Sequence, residues 1–78
     1  MEIKVLGPGC TNCLRLEKMC HEAVVELGID AKIEKITDPN SFPDYGVWLA
    51  PGLIINSKLK IQGKMPTLAT LKGWIKNG

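Results

Sequence analysis

The sequence predicts an α/β domain with elements in the order β-α-β-α-β-β-α around a mixed four-stranded sheet. Three observations carry this. Strict alternation in residues 2–6 gives way to helical spacing from Cys13 onward. A continuous apolar run, "GLIIN" at 52–56, has the character of a buried central strand. A second helical face closes the chain at 67–76.

Each element follows from its residues. Ile3 and Val5 alternate with Glu2 and Lys4 as a strand. Cys13, Leu16, Cys20, Val24 and Leu27 share one helical face, with Arg15, Lys18 and Glu26 off it, and Gly28 marks the helix stop. "AKIEKI" at 31–36 reads as a short strand toward an edge. Asp38-Pro39 starts a further helical segment, which Pro43 is expected to break after about one turn. Asn56-Ser57 makes a tight turn into "KLKIQG", where Leu59 and Ile61 alternate with Lys58, Lys60 and Gln62. Thr67 caps a final helix whose Leu68, Leu71, Trp74 and Ile75 face the core, with Lys72 and Lys76 near its C-terminus. The strand–helix–strand start favours parallel pairing, and the late hairpin adds an antiparallel half.

Composition narrows the function. A chain of 78 residues, 45% hydrophobic and 23% charged, is expected to be one globular domain over 1–78, acting as a monomer. A formal charge of +2 is too small and scattered to imply nucleic acid or an anionic membrane. Lys58, Lys60 and Lys64 are read as guards on an edge strand. Neither a membrane span nor a signal peptide is recognisable. Three cysteines is an odd number, which argues against a fully bridged secreted scaffold, so a cytoplasmic location is expected.

The chemistry lies in "GPGCTNC" at 7–13. Cys10 stands where the helix begins and Cys13 one turn in, a spacing that brings their sulfurs within bonding reach. Unpaired N–H groups and the helix dipole stabilise a thiolate at the first cysteine, lowering its pKa from about 8.5 toward roughly 3.5–7.5. Cys10 is then the nucleophile and Cys13 the protonated resolving thiol, while Gly7 and Gly9 allow a sharp turn and leave room for a partner. The same spacing serves zinc and copper, so a metal-binding or carrier module using both thiolates remains open.

Downstream, "YGVWLAPGLIIN" places Pro51 directly before the buried strand, a costly position unless the geometry uses it. Together with "GPGCTNC", "LEKMCHEAVVELGID" and "KLKIQGKMP", this segment resembles the thioredoxin-like superfamily. It is most similar to the small archaeal and bacterial redox-active disulfide, or glutaredoxin-like, proteins. The resemblance spans essentially the whole chain. It implies a minimal thioredoxin-like fold with strand order 2-1-3-4 and a thiol–disulfide oxidoreductase that exchanges disulfides with partner proteins. It implies a cis Ala50–Pro51 bond, an Ala50 backbone that docks the partner chain, and a Pro51 that keeps metal from the thiols. Thr11 and Asn12 join these as docking candidates beside the disulfide, and Trp48 stays open between core packing and a partner-contact rim there. No dissociable cofactor and no metal are implied, only an electron donor of the thioredoxin-reductase type. Thr11 and Asn12 match neither the thioredoxin nor the glutaredoxin pair, which leaves the potential open over about 150 mV. Lys64 stands where glutaredoxins carry a second glycine and no aspartate follows, so glutathione is not implied as substrate.

Other residues take plainer readings. Cys20 lies about 10 Å from Cys13 along the helix axis, beyond the roughly 7 Å that a disulfide spans, and is read as core packing. His21 should face solvent. Glu17 is a surface glutamate one turn beyond Cys13, within reach of a proton relay. Trp74 is assigned to the core.

Overall fold

The computed structural model describes residues 1–77; Gly78, the last residue of the expected domain, lies outside them. The elements are β1 (Glu2–Leu6), α1 (Thr11–Leu27), β2 (Lys32–Ile36), a 3-10 helix (Pro39–Tyr45), β3 (Gly52–Ile55), β4 (Lys58–Gln62) and α2 (Leu68–Asn77). The sheet order is β2-β1-β3-β4, the order expected. β1 pairs parallel with β2 and antiparallel with β3, and β3 pairs antiparallel with β4.

The pleat divides the apolar residues between two faces. Ile3, Val5, Leu53 and Ile55 meet Leu16, Cys20 and Ala23 of α1 and Leu71 and Ile75 of α2 in the main core. Leu6 and Ile54 point the other way, onto Phe42 of the 3-10 helix and Val47. The 3-10 helix leaves part of that second face in water. There Glu2 opposes Lys32 and Lys4 opposes Glu34, cross-strand pairs suited to a solvated surface. Among the described residues no helix is long and apolar enough to cross a membrane.

Local signals account for most boundaries. Gly28 takes a left-handed conformation and returns its N–H to the Val24 and Val25 carbonyls, ending α1. Thr67 Oγ1 accepts the Thr70 N–H and caps α2. Asn56 and Ser57, with φ of 49° and 69°, form the tight turn between β3 and β4. Asn56 also anchors that turn to β1, accepting the Glu2 N–H through its side chain and donating its own N–H to the Glu2 carbonyl.

Five expectations need correction. The helical segment runs through Pro43 instead of breaking there: a 3-10 helix shares proline's φ and gives up a single N–H to it. The buried face of α1 continues from Cys13, Leu16 and Cys20 to Ala23, leaving Val24 and Leu27 half-buried at its margin. β3 ends at Ile55, with Asn56 already in the turn. Leu59 and Ile61 do not share a face. A bulge at Lys60 sets Ile61 opposite Leu53 on the helix side and Leu59 opposite Ile54 on the other. Trp74 is half-buried and packs on the rim of the core.

Candidate functional site

The site forms where four chain segments end at one edge of the sheet. Leu6, the last residue of β1, pairs with Gly52, the first of β3, and Gly52 pairs with Gln62, the last of β4. Gly7 follows β1 directly and leads through Pro8 and Gly9 into α1. Antiparallel pairing therefore delivers the cysteine loop and the Ala50–Pro51 segment to the same end.

Cys10 and Cys13 are joined by a disulfide with their Cα atoms 5.0 Å apart. Cys10 is the N-cap of α1, in extended conformation, and its Sγ accepts the Cys13 N–H at 3.2 Å. That bond occupies one of the donors that every helix start leaves free. Cys10 is exposed, whereas Cys13 is only 1% exposed. Two glycines make room for this. Gly9 has φ of 97°, a left-handed turn that other residues resist. A Cβ on Gly7 would overlap the Cys13 Sγ and lie 2.7 Å from the Cys13 Cβ. Gly7 is pinned in that position by its N–H bond to the Ile36 carbonyl at 2.9 Å.

The Ala50–Pro51 peptide is cis, as the resemblance implied. Pro51 is buried and its carbonyl accepts the Gly63 N–H at 2.9 Å. Ala50 is exposed, as are Thr11 and Asn12 on the first turn of α1. Trp48 and Leu49 are 73% and 62% exposed, so Trp48 belongs to the surface and not to the core. Residue-by-residue reading of the sequence missed three features of this edge. These are the close approach of Gly7 to Cys13, the exposure of Leu49, and the Gln62 side chain. Gln62 reaches the loop before Ala50, accepting the Trp48 N–H at 2.7 Å. One signal for it was available: a neutral amide ending a strand otherwise edged with lysines.

The remaining candidates fall outside the site. Cys20 is a free thiol sealed in the main core, and burial, with the Glu17 carboxylate adding to it, pushes its pKa up to about 12. Glu17 is half-buried, 3.9 Å from the Lys35 ammonium. His21 is exposed. Among the described residues no group of three or more histidine, cysteine, aspartate or glutamate side chains is placed to hold a metal ion. Any metal on Cys10 and Cys13 would lack a third such ligand among the described residues.

Comparison with known proteins agrees with the geometry. Residues 1–76 match the thioredoxin domain family. A thioredoxin of Methanothermobacter thermautotrophicus is 43% identical over 72 residues, covering 92% of this chain and 94% of that protein. A thioredoxin of Methanocaldococcus jannaschii is 35% identical over 75 residues, covering 96% of this chain and 86% of that protein. A redox-active C-x-x-C pair at a helix N-terminus, on a sheet of order 2-1-3-4 with a cis proline before β3, performs thiol–disulfide exchange, and the chain belongs to the thioredoxin domain family.

Proposed function

We propose that residues 1–78 act as a monomeric single-domain reductant of protein disulfides in the cytoplasm, with Cys10 as nucleophile and Cys13 as resolving thiol. The observation that carries this reading is the asymmetry of the pair: Cys10 is exposed at the helix N-cap, and Cys13 is 1% exposed behind it. The helix N-terminus favours a thiolate at the first position and not at the second. The Cys10 thiolate attacks one sulfur of the partner's disulfide, forming a mixed disulfide and releasing the partner's other sulfur as a thiolate. Cys13 then loses its proton and attacks the Cys10 Sγ, which frees the second partner sulfur and closes the Cys10–Cys13 disulfide. Two electrons have passed to the partner.

A thioredoxin-reductase-type donor returns two electrons and reopens the disulfide. During attack the partner chain lies along the Ala50 backbone beside Pro51, with Trp48, Thr11 and Asn12 around it. The exposure of Ala50, Trp48, Thr11 and Asn12 supports this arrangement.

Insulin reduction driven by thioredoxin reductase or by glutathione tests the reading, beside three variants. Turnover with the reductase, its loss in Cys10→Ser, and a covalent mixed disulfide in Cys13→Ser on a non-reducing gel are expected. Cys20→Ser should turn over nearly as the parent does. A Cys13→Ser protein that traps nothing while Cys10→Ser does would reverse the assigned roles.

A further inference from the structure

Gln62 closes β4 opposite Gly52, and the bulge at Lys60 decides which way its side chain points. Strict alternation from Leu59 would send Gln62 to the helix side. The extra residue shifts the pleat by one, so Gln62 emerges on the face that carries Val47 and Ile54. From there its carboxamide reaches the loop ahead of Ala50. Its Oε1 accepts the Trp48 N–H at 2.7 Å and the Leu49 N–H at 3.3 Å, and its Nε2 donates to the Gly46 carbonyl at 3.4 Å. The next residue extends the grip. Gly63 donates to the Pro51 carbonyl, and Leu49 fills the space where a Gly63 Cβ would stand, 2.9 Å from the Leu49 Cβ.

The loop has reason to need such a hold. Val47 and Pro51 are buried and fix its two ends. Trp48 and Leu49 between them are largely in water, with Leu49 against Gly63. We infer that Gln62 is a positioning residue for partner docking: its carboxamide holds the Trp48–Leu49 backbone in the shape that a disulfide-bearing protein meets. This rests on reading Trp48 to Pro51 as the docking rim. A rim ordered before contact loses less conformational freedom on binding, so the benefit appears in partner affinity and not in bond exchange at sulfur.

Steady-state kinetics on the full chain, with insulin and with a small aromatic disulfide as alternative substrates, tests this. Gln62→Met keeps the side-chain length and removes both hydrogen-bonding functions. Its KM for insulin should rise about three- to tenfold, the range of one or two hydrogen bonds, with kcat altered less than twofold. The ratio of kcat/KM for insulin to that for the small disulfide should fall by the same factor. Gln62→Glu retains an acceptor for both N–H groups and loses only the donor to Gly46, so it should recover most of the KM. Hydrogen exchange at the Trp48 and Leu49 amides should quicken in Gln62→Met and return toward the parent rate in Gln62→Glu.

Trp48→Ala separates this inference from the reading beneath it. If Trp48→Ala raises the insulin KM and Gln62→Met does not, the role of Gln62 is overturned and the docking rim stands. If neither variant moves KM, the rim and the inference both fall. Equal losses with both substrates in Gln62→Met would place its effect on the chemistry or on folding, and would also overturn the inference. Should Gln62→Met fail to fold, exchange in the parent protein decides. Trp48 and Leu49 amides protected at least tenfold relative to an unstructured chain support the hold, and unprotected amides refute it.

Discussion

Replacing Gly7 with alanine should weaken the oxidised protein more than the reduced one and raise its reduction potential. The added Cβ would overlap the Cys13 Sγ and sit 2.7 Å from the Cys13 Cβ. Neither side can yield easily. Gly7 continues a strand paired on both sides and is bonded through its N–H to Ile36. Cys13 lies in the first turn of α1 with its sulfur tied to Cys10. Overpacking of this kind costs about 1–3 kcal/mol. Reduction frees the Cys13 sulfur to rotate away from the new methyl group, which relieves the Sγ overlap but not the Cβ contact. The oxidised form therefore bears the larger cost.

A differential cost up to the same 1–3 kcal/mol corresponds to a potential raised by at most about 20–60 mV. Urea titration of both redox forms, with redox equilibration in dithiothreitol buffers read by alkylation, measures the two quantities independently. The expected result is a lower midpoint for both forms, a larger drop for the disulfide form, and a less negative potential. Equal midpoints in variant and parent, or a potential shifted the other way, would refute the argument from the Gly7–Cys13 contact.

Three further outcomes follow from the core and the hairpin. Because burial pushes the Cys20 thiol up from about 9.0 to about 12, its stabilisation is intact below about pH 9 and declines above it. By pH 10 the loss reaches about 1–1.5 kcal/mol, so urea midpoints of the oxidised parent should fall with pH more steeply than those of Cys20→Ala; parallel curves would contradict this. Cys20→Ala itself should cost about 1–2 kcal/mol at neutral pH, measured by the same titration, with insulin turnover retained. Ser57→Gly should add about 0.5–1 kcal/mol, since glycine accepts a φ of 69° without the steric cost that serine bears there.

What the sequence revealed and what it hid divide along the range of the interactions involved. The cysteine loop was legible because its signals are local: glycines at a turn, a cysteine at the cap position, and helical spacing from Cys13. Gly28, Thr67 and the Asn56–Ser57 turn were legible for the same reason. The strand order and the cis bond before Pro51 came from resemblance, since no local pattern encodes either. The bulge at Lys60 escaped because "KLKIQ" alternates without interruption, and only pairing with β3 shows where a residue is in excess. With the bulge went Gln62, which alternation assigns to the same side as Lys58 and Lys60. The Gly7–Cys13 contact was hidden too, because a glycine beside a turn looks the same whether it serves flexibility or space. Ala23 lost its place to Val24 in a reading that favours the larger side chain, although the helix turns Ala23 inward.

The sheet also separates exchange from much of the stability, and a double variant can show it. The ends of β1 and β4 and the start of β3 build the redox edge, while the Asn56–Ser57 turn closes the opposite edge beside Glu2. Five strand residues at about 3.3 Å each place Gly7 roughly 16 Å from that turn. Substitutions this far apart, with no shared partner, should add independently within about 0.5 kcal/mol. Ser57→Gly placed in the Gly7→Ala background should therefore restore part of the lost urea midpoint in both redox forms equally. An equal gain in the two forms cancels from the redox equilibrium, so the potential should stay at its raised value. A potential that returned toward that of the parent would mean the turn and the disulfide communicate through β1 and β3. The independence assumed here would then be wrong, and the Gly7 contact would no longer be a local device.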